Sequence, residues 1–313
     1  MRDTEPMRRV RIAVTEGDPA GIGPEIVRKA CADARVLAVC DPVVFAAQSA
    51  RPIVPGVESA DSGQAAYDAI VRAVEAARSG AVDAMATAPV SKQAFALAGL
   101  PWKGHTDLLA HLCGVDQVRM LFYAEGRTGG EVGGPAAVPR RPLCVTLVTV
   151  HVPLAAVPSL LTVPEVARTL SMTSDWLSGR GLAAPRIALA ALNPHAGEHG
   201  LMGHEDEAIL RPAVAQARAA GVDASGPFPA DTVFLRALRG DCDAVVACYH
   251  DQGLIPVKLL AFGDAVNVTI GLPIIRTSVD HGTAFDIAGR NVADHGSLVA
   301  AIRLAAALAE ERR

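Results

Sequence analysis

Residues Asp243–Asp251 read DAVVACYHD, a short apolar run that ends on a histidine and a carboxylate. A continuous apolar run of this length, bounded by polar residues, reads as a strand buried on both faces. The same pattern recurs at Cys144–His151 (CVTLVTVH) and at Arg186–His195 (RIALAALNPH). Val10–Val14, Val82–Thr87 and Ala265–Ile270 supply further strand candidates. Helical patterns lie between them. Pro24 in PEIVRKACADA suits a first helical turn, with Ile26, Val27, Ala30 and Cys31 on one face. GQAAYDAIVRAVEAARSG carries the stripe Tyr67, Ile70, Val71, Val74 and Ala77, and Gly80 supplies a left-handed stop. SLVAAIRLAAALAEERR reads as a closing helix. Strands alternating with helices predict an α/β protein with largely parallel sheets. At roughly 100–200 residues per domain, 313 residues make about two.

Composition narrows the function. Half of the residues are hydrophobic and only 4% aromatic, so the apolar mass is aliphatic and suits packed α/β layers. The net charge is -4 and no Lys/Arg run is long enough to track a phosphate backbone, which argues against nucleic acid as a partner. Mean hydropathy is +0.28, yet Gly, Pro, His and charges interrupt every apolar stretch before it reaches membrane-spanning length. The N-terminal stretch has no apolar core followed by a cleavage site, so a cytoplasmic location and no membrane partner are expected. The six cysteines show no C-x-x-C pair and read as reduced core residues. Glu125–Arg141, EGRTGGEVGGPAAVPRR, reads as an exposed flexible loop.

The chemistry is expected where the strands end, because ligands of open α/β sheets bind beyond the carboxyl ends of strands. His151, His195 and His250 each follow a strand pattern. Three neutral imidazoles suit one borderline divalent cation and leave a coordination position for substrate. Any one of them, taken singly, is more simply a loop hydrogen-bonding residue. His199 and His204, in NPHAGEHGLMGHEDE, are further possible ligands within a polar loop. Asp251 can orient His250 or carry a proton. Asp231 can cap a helix or act in catalysis. Lys258 and Arg276 interrupt apolar runs, where a cation either snorkels to the surface or binds a carboxylate or phosphate. His105, Thr106 and Lys92 offer further polar contacts. GDPAGIGPE is glycine-rich but is neither a G-x-G-x-x-G fingerprint nor a P-loop, and no Rossmann fingerprint occurs.

GDPAGIGPE, TAPVSK, GHTD, HVPL, NPHAGE, GPFPADT, YHDQGLIPVK and VNVTIGLPIIRTSVDHGTAFDIAG together resemble the 4-hydroxythreonine-4-phosphate dehydrogenase family over nearly the whole chain. The last block is also similar to the isocitrate/isopropylmalate dehydrogenase group. The resemblance implies two α/β/α domains with a non-Rossmann nucleotide site. Residues 1–105 with 256–313 would bind the nucleotide, and 106–255 would hold metal and substrate and dimerise. It implies NAD or NADP, one divalent ion (Zn, Mg or Co) on His151, His195 and His250, and a homodimer. Substrate contacts would be His105, Thr106, Lys258, Asn267 and Arg276, with Asp231 and Asp251 in catalysis. His281, Gly282, Thr283, Asp286 and Asn291 would lie at the nucleotide. The activity implied is oxidation with decarboxylation of 4-phosphohydroxy-L-threonine, as in pyridoxal phosphate biosynthesis. Relatives act instead on threonate or erythronate 4-phosphate, or on a terephthalate-type cis-dihydrodiol dicarboxylate. A binding protein that has lost catalysis is the distant alternative, and it would have no need of the metal-site histidines.

Overall fold

A computed structural model describes residues 8–125, 141–261 and 263–313. All of the loop expected at Glu125–Arg141, apart from its two end residues, lies outside them. The chain forms two compact units, residues 1–118 with 271–313, and 119–270. The units change over later than the expected 105/106 and 255/256 boundaries. The helix His105–Cys113 belongs to the first unit because Leu108 and Leu109 enter a core with Ile70, Met85 and Phe95. The helix His250–Ala261 belongs to the second because Leu254 and Val257 pack with Leu147, Val145 and Ala247.

The first unit's strands are β1 (Arg11–Thr15), β2 (Asp41–Phe45), β3 (Ala84–Thr87) and, from the end of the chain, β10 (Arg276–Ser278). They lie in the order β2-β1-β3-β10, all parallel. The helix Ala60–Arg78 covers them with Ile70 and Val74 buried, opens on a Ser59–Ser62 capping box, and is followed by Gly80 at φ +75°. Gly23–Cys31 starts with Pro24 in its first turn, and Gly296–Glu311 closes the unit with its apolar residues buried.

The second unit holds β4 (Arg119–Ala124), β5 (Leu143–Leu147), β6 (Arg186–Ala190), β7 (Asp223–Phe228), β8 (Ala244–Ala247) and β9 (Val266–Ile270). Their order is β9-β4-β5-β8-β6-β7. Only β4 runs antiparallel to its neighbours, β5 and β9. β5, β8 and β6 are adjacent and parallel, so their carboxyl ends lie side by side on one edge. Gly253 lets the helix Ile255 belongs to press on that sheet: a Cβ there would stand 3.0 Å from Val145 Cγ1 and 3.3 Å from Ala247 Cβ.

All six cysteines are free, and four are buried. Burial pushes the thiols of Cys40 and Cys242 up to about 11, which leaves them unreactive near neutral pH. Among the described residues, no helix is long and apolar enough to cross a membrane.

Candidate active site

The edge formed by β5, β8 and β6 carries the three histidines. His151 follows β5, His250 follows β8 and His195 follows β6, so three neighbouring strands each deliver one. The rings of His151 and His250 have centroids 5.5 Å apart. With metal–nitrogen bonds of roughly 2.0–2.1 Å, two imidazoles sharing an ion have centroids about 5–6 Å apart, a range that includes this separation. Among the described residues no group of three or more His, Cys, Asp or Glu side chains converges as a metal-holding cluster. His195 lies on an unusual turn. His195, Ala196, Gly197, Glu198 and His199 all have positive φ, a left-handed run within Pro194–Gly200. Non-glycine residues held there cost roughly 1–3 kcal/mol each, and such strain gathers at functional sites. His199 and His204 are exposed on the same polar stretch.

Asp251 is exposed, and its Oδ1 lies 2.7 Å from His250 Nδ1. A neutral ring that donates from Nδ1 to this carboxylate would leave Nε2 as the nitrogen available to a ligand. The contact makes Asp251 an orienting group for His250. Asp231 is not a cap. Pro229 occupies the N-cap of the helix Ala230–Arg239, and Asp231 stands exposed in the first turn. Its charge is favoured there by the helix dipole. Lys258 is half-buried in the last turn of its helix, and Asn267 on β9 is buried with Oδ1 unpartnered.

The first unit presents a different polar cluster, where Arg276 at the start of β10 reaches Thr87 at the carboxyl end of β3. Arg276 does not snorkel: it is 2% exposed, and it donates from Nη2 to Thr87 Oγ1 at 2.7 Å. Burial pushes its guanidinium down to about 9. His105 opens the helix His105–Cys113, and its Nε2 is buried and unpartnered. Burial first, and the charge of Arg276 second, hold its imidazole well below 6.5, so it is neutral at pH 7. Thr106 is half-buried beside it, and Gly104 gives that helix no side-chain cap, leaving first-turn N–H groups for an anion. Lys92, by contrast, is exposed. Thr87 is a part of this site that the sequence reading passed over; its polar end to a buried strand was the available signal.

The expected nucleotide residues follow β10 in the same unit. His281 and Thr283 are half-buried, while Gly282, Asp286 and Asn291 are exposed. His281 Nε2 is buried and unpartnered. Asn291, at φ +59°, is held from the helix Gly23–Cys31: its Oδ1 accepts from Arg28 Nη2 at 2.7 Å, and its carbonyl from Lys29 Nζ at 3.2 Å. GDPAGIGPE packs against this loop. Ile22 N–H donates to the Thr283 carbonyl at 2.9 Å, and a Cβ at Gly21 would stand 2.7 Å from that oxygen. Gly21 is therefore explained by chain packing, with no anion required.

The model of the PdxA family, described as pyridoxal phosphate biosynthetic protein PdxA, matches residues 12–305. The chain belongs to the PdxA family. It is 42% identical to a 4-hydroxythreonine-4-phosphate dehydrogenase of Desulforapulum autotrophicum, over 98% of this chain and 96% of that one. It is 41% identical to a D-threonate 4-phosphate dehydrogenase of Cupriavidus necator, over 96% and 98%. The crystal structure of 4-hydroxythreonine-4-phosphate dehydrogenase from Klebsiella pneumoniae superposes with a TM-score of 0.84 at 39% identity, covering 96% of this chain and 100% of that one.

Proposed function

We propose that this PdxA-family chain is an NAD- or NADP-dependent dehydrogenase that oxidises, and then decarboxylates, a small phosphorylated hydroxy acid, with 4-phosphohydroxy-L-threonine the leading substrate. One observation carries the reading: three adjacent parallel strands deliver His151, His250 and His195 to one sheet edge. The donor set fits a divalent ion. The separation of His151 and His250 lies in the range for shared ligation, and Asp251 would set the tautomer of His250. Such an ion, bound by His151, His195 and His250, would polarise the substrate oxygen as a Lewis acid, and a nicotinamide nucleotide near His281, Gly282, Thr283, Asp286 and Asn291 would accept the hydride. Asp251 holds the His250 ring in place. Asp231, exposed at a helix N-terminus, is free to take the hydroxyl proton.

Arg276, His105, Thr106, Lys258 and Asn267 are assigned to the substrate on the family resemblance. A buried guanidinium beside a neutral imidazole suits a dianionic phosphate or a carboxylate. Relatives of both names are dehydrogenases of 4-phosphorylated substrates, which favours a phosphate over a ring dicarboxylate. D-threonate 4-phosphate is the second reading, supported by the near-equal identity to the Cupriavidus necator enzyme. A homodimer fits the exposed Ile255 (66%) and Leu259 (83%), an apolar pair one turn apart on the helix His250–Ala261. Nucleotide reduction, measured with 4-phosphohydroxy-L-threonine, D-threonate and D-erythronate 4-phosphates and a cis-dihydrodiol dicarboxylate, tests the assignment. Turnover of the first is expected to dominate and to need added divalent metal. Efficient turnover of the dicarboxylate alone would move the substrate class, and no turnover on any acid would return the chain to a binding role.

A further inference from the structure

We infer that Gln252 is a positioning residue: with Thr149 it sets the spacing of the strand ends that carry His151, His250 and His195. The inference rests on the metal reading above. Gln252 is 9% exposed and sits at the start of the helix that follows β8. Its Oε1 accepts from the Cys248 N–H at 2.7 Å, and its Nε2 donates to the Ala191 carbonyl at 2.6 Å. Cys248 leads into His250, and Ala191 leads into His195. A single amide thus bridges the chain just before two of the histidines. On the other flank, Thr149 leads into His151. Its Oγ1 donates to the Cys248 carbonyl at 2.8 Å, and its N–H reaches the same oxygen at 3.2 Å. Both backbone polar groups of Cys248 are therefore engaged, one toward each neighbouring strand end.

These bonds begin where the paired strands stop, at Leu147, Ala247 and Ala190. Past those points the backbone bonds from Val148 N–H to the Ala247 carbonyl (2.9 Å) and from Thr149 N–H to the Cys248 carbonyl still join the first two chains, while the Gln252 side chain links the second to the third; the histidines themselves are exposed or half-buried. Thr149, Cys248, Gln252 and Ala191 are all buried, so each bond is shielded from competing water. The run continues past Ala191. Asp206 is wholly buried and accepts from Leu192 N–H (2.9 Å), Asn193 N–H (3.1 Å) and Asn193 Nδ2 (2.9 Å), which anchors the entry to the left-handed turn of His195. A ligand set presented on three separate strands is only as well ordered as the links between those strands. Groups that orient metal ligands typically change affinity by about 10–100-fold when removed.

Cobalt(II) titration of the metal-free full chain, without substrate or nucleotide, reads this directly through the ion's absorption spectrum. Gln252→Leu removes both bonds and is expected to weaken cobalt binding by about 10–100-fold and to alter the spectrum. Thr149→Val deletes one bond at constant shape and is expected to weaken binding by about tenfold, with Thr149→Ser restoring it. Thermal unfolding of each variant separates spacing from folding. If Gln252→Leu does not fold, the Thr149 pair decides. Cobalt affinity equal to the parent in every folded variant overturns the inference, whatever the melting temperatures, and leaves the metal reading standing. A parent protein that takes up no cobalt overturns the metal reading itself, and the inference with it.

Discussion

At the carboxyl end of β3 in the first unit the key cation is sealed: Arg276, which starts β10 and reaches Thr87, is 2% exposed, and His105 beside it is kept uncharged. At the matching edge of the second unit, His151 and His195 stand exposed, and the hydrogen bonds that support them lie underneath. One edge hides its charge and the other exposes its imidazoles. The difference fits the ligand proposed for each. A guanidinium stripped of water interacts strongly with an entering anion, whereas a cation arrives hydrated and needs accessible nitrogens that can replace its water.

The largest test of the contrast lies at the exposed edge. Replacing His250 with Ala removes a proposed nitrogen ligand and the partner of Asp251. Lewis-acid stabilisation is worth several kcal/mol, so turnover is expected to drop about a thousandfold or more, with bound metal falling in parallel. Chelation of the parent should reproduce the loss, and readdition of metal should reverse it. Full activity in a chelated, metal-free preparation would break the comparison at its metal end.

The sealed edge gives the next largest effect. Arg276→Leu should lose a charge-assisted contact of roughly 1.5–3 kcal/mol, about ten- to a hundredfold in substrate affinity. Melting temperature should change little, because the desolvation cost that leaves with the guanidinium offsets the loss of its bond to Thr87 Oγ1. Unchanged substrate affinity together with a large drop in melting temperature would make Arg276 a structural residue.

Legibility differed between the edges for related physical reasons. His151, His195 and His250 were readable because each ends an apolar run, and burial of those runs on both faces leaves a plain pattern. β7 was not, since DASGPF places a glycine and a proline within a strand, and β10, only Arg276–Ser278, is too short to show a period. β4 was missed as well, and with it the antiparallel pairing that breaks an otherwise parallel arrangement. Arg276 and Lys258 look alike in sequence, each one cation in an apolar run; only packing separates the buried one from the half-buried one. Gln252 and Thr149 carry no sequence signal of their own, because their importance lies in which backbone groups of other strands they reach.

His105 turns the sealed edge into a pH-dependent property. Its imidazole sits below 6.5 in the fold, so in acid the unfolded chain takes up a proton that the folded one refuses. Stability then falls as pH drops below about 6.5, by at most about 1.4 kcal/mol per unit for one proton. Between pH 7 and 5.5 the parent should lose more stability than His105→Gln, measured by denaturant unfolding at each pH. Parallel profiles would mean that His105 is hydrated and titrates normally.

The smallest expected effect concerns the turn that presents His195. Ala196 and Glu198 are alanine and glutamate at φ +55° and +42°, in a region glycine enters without steric cost. Holding an L-residue there costs about 1–2 kcal/mol. Ala196→Gly should recover that, less about 0.5–1 kcal/mol for the extra freedom glycine gives the unfolded chain. The expected outcome is a net gain of about 0.5–1 kcal/mol in the unfolding free energy. Metal affinity should be kept, because the Asp206 contacts to Leu192 and Asn193 are backbone bonds and an Asn side-chain bond that Ala196 does not make. If Ala196→Gly instead loosens metal binding while stabilising the fold, the strained residue itself holds His195 in place. The exposed edge would then owe its order to backbone strain as well as to the buried bonds beneath it, a device with no counterpart around Arg276.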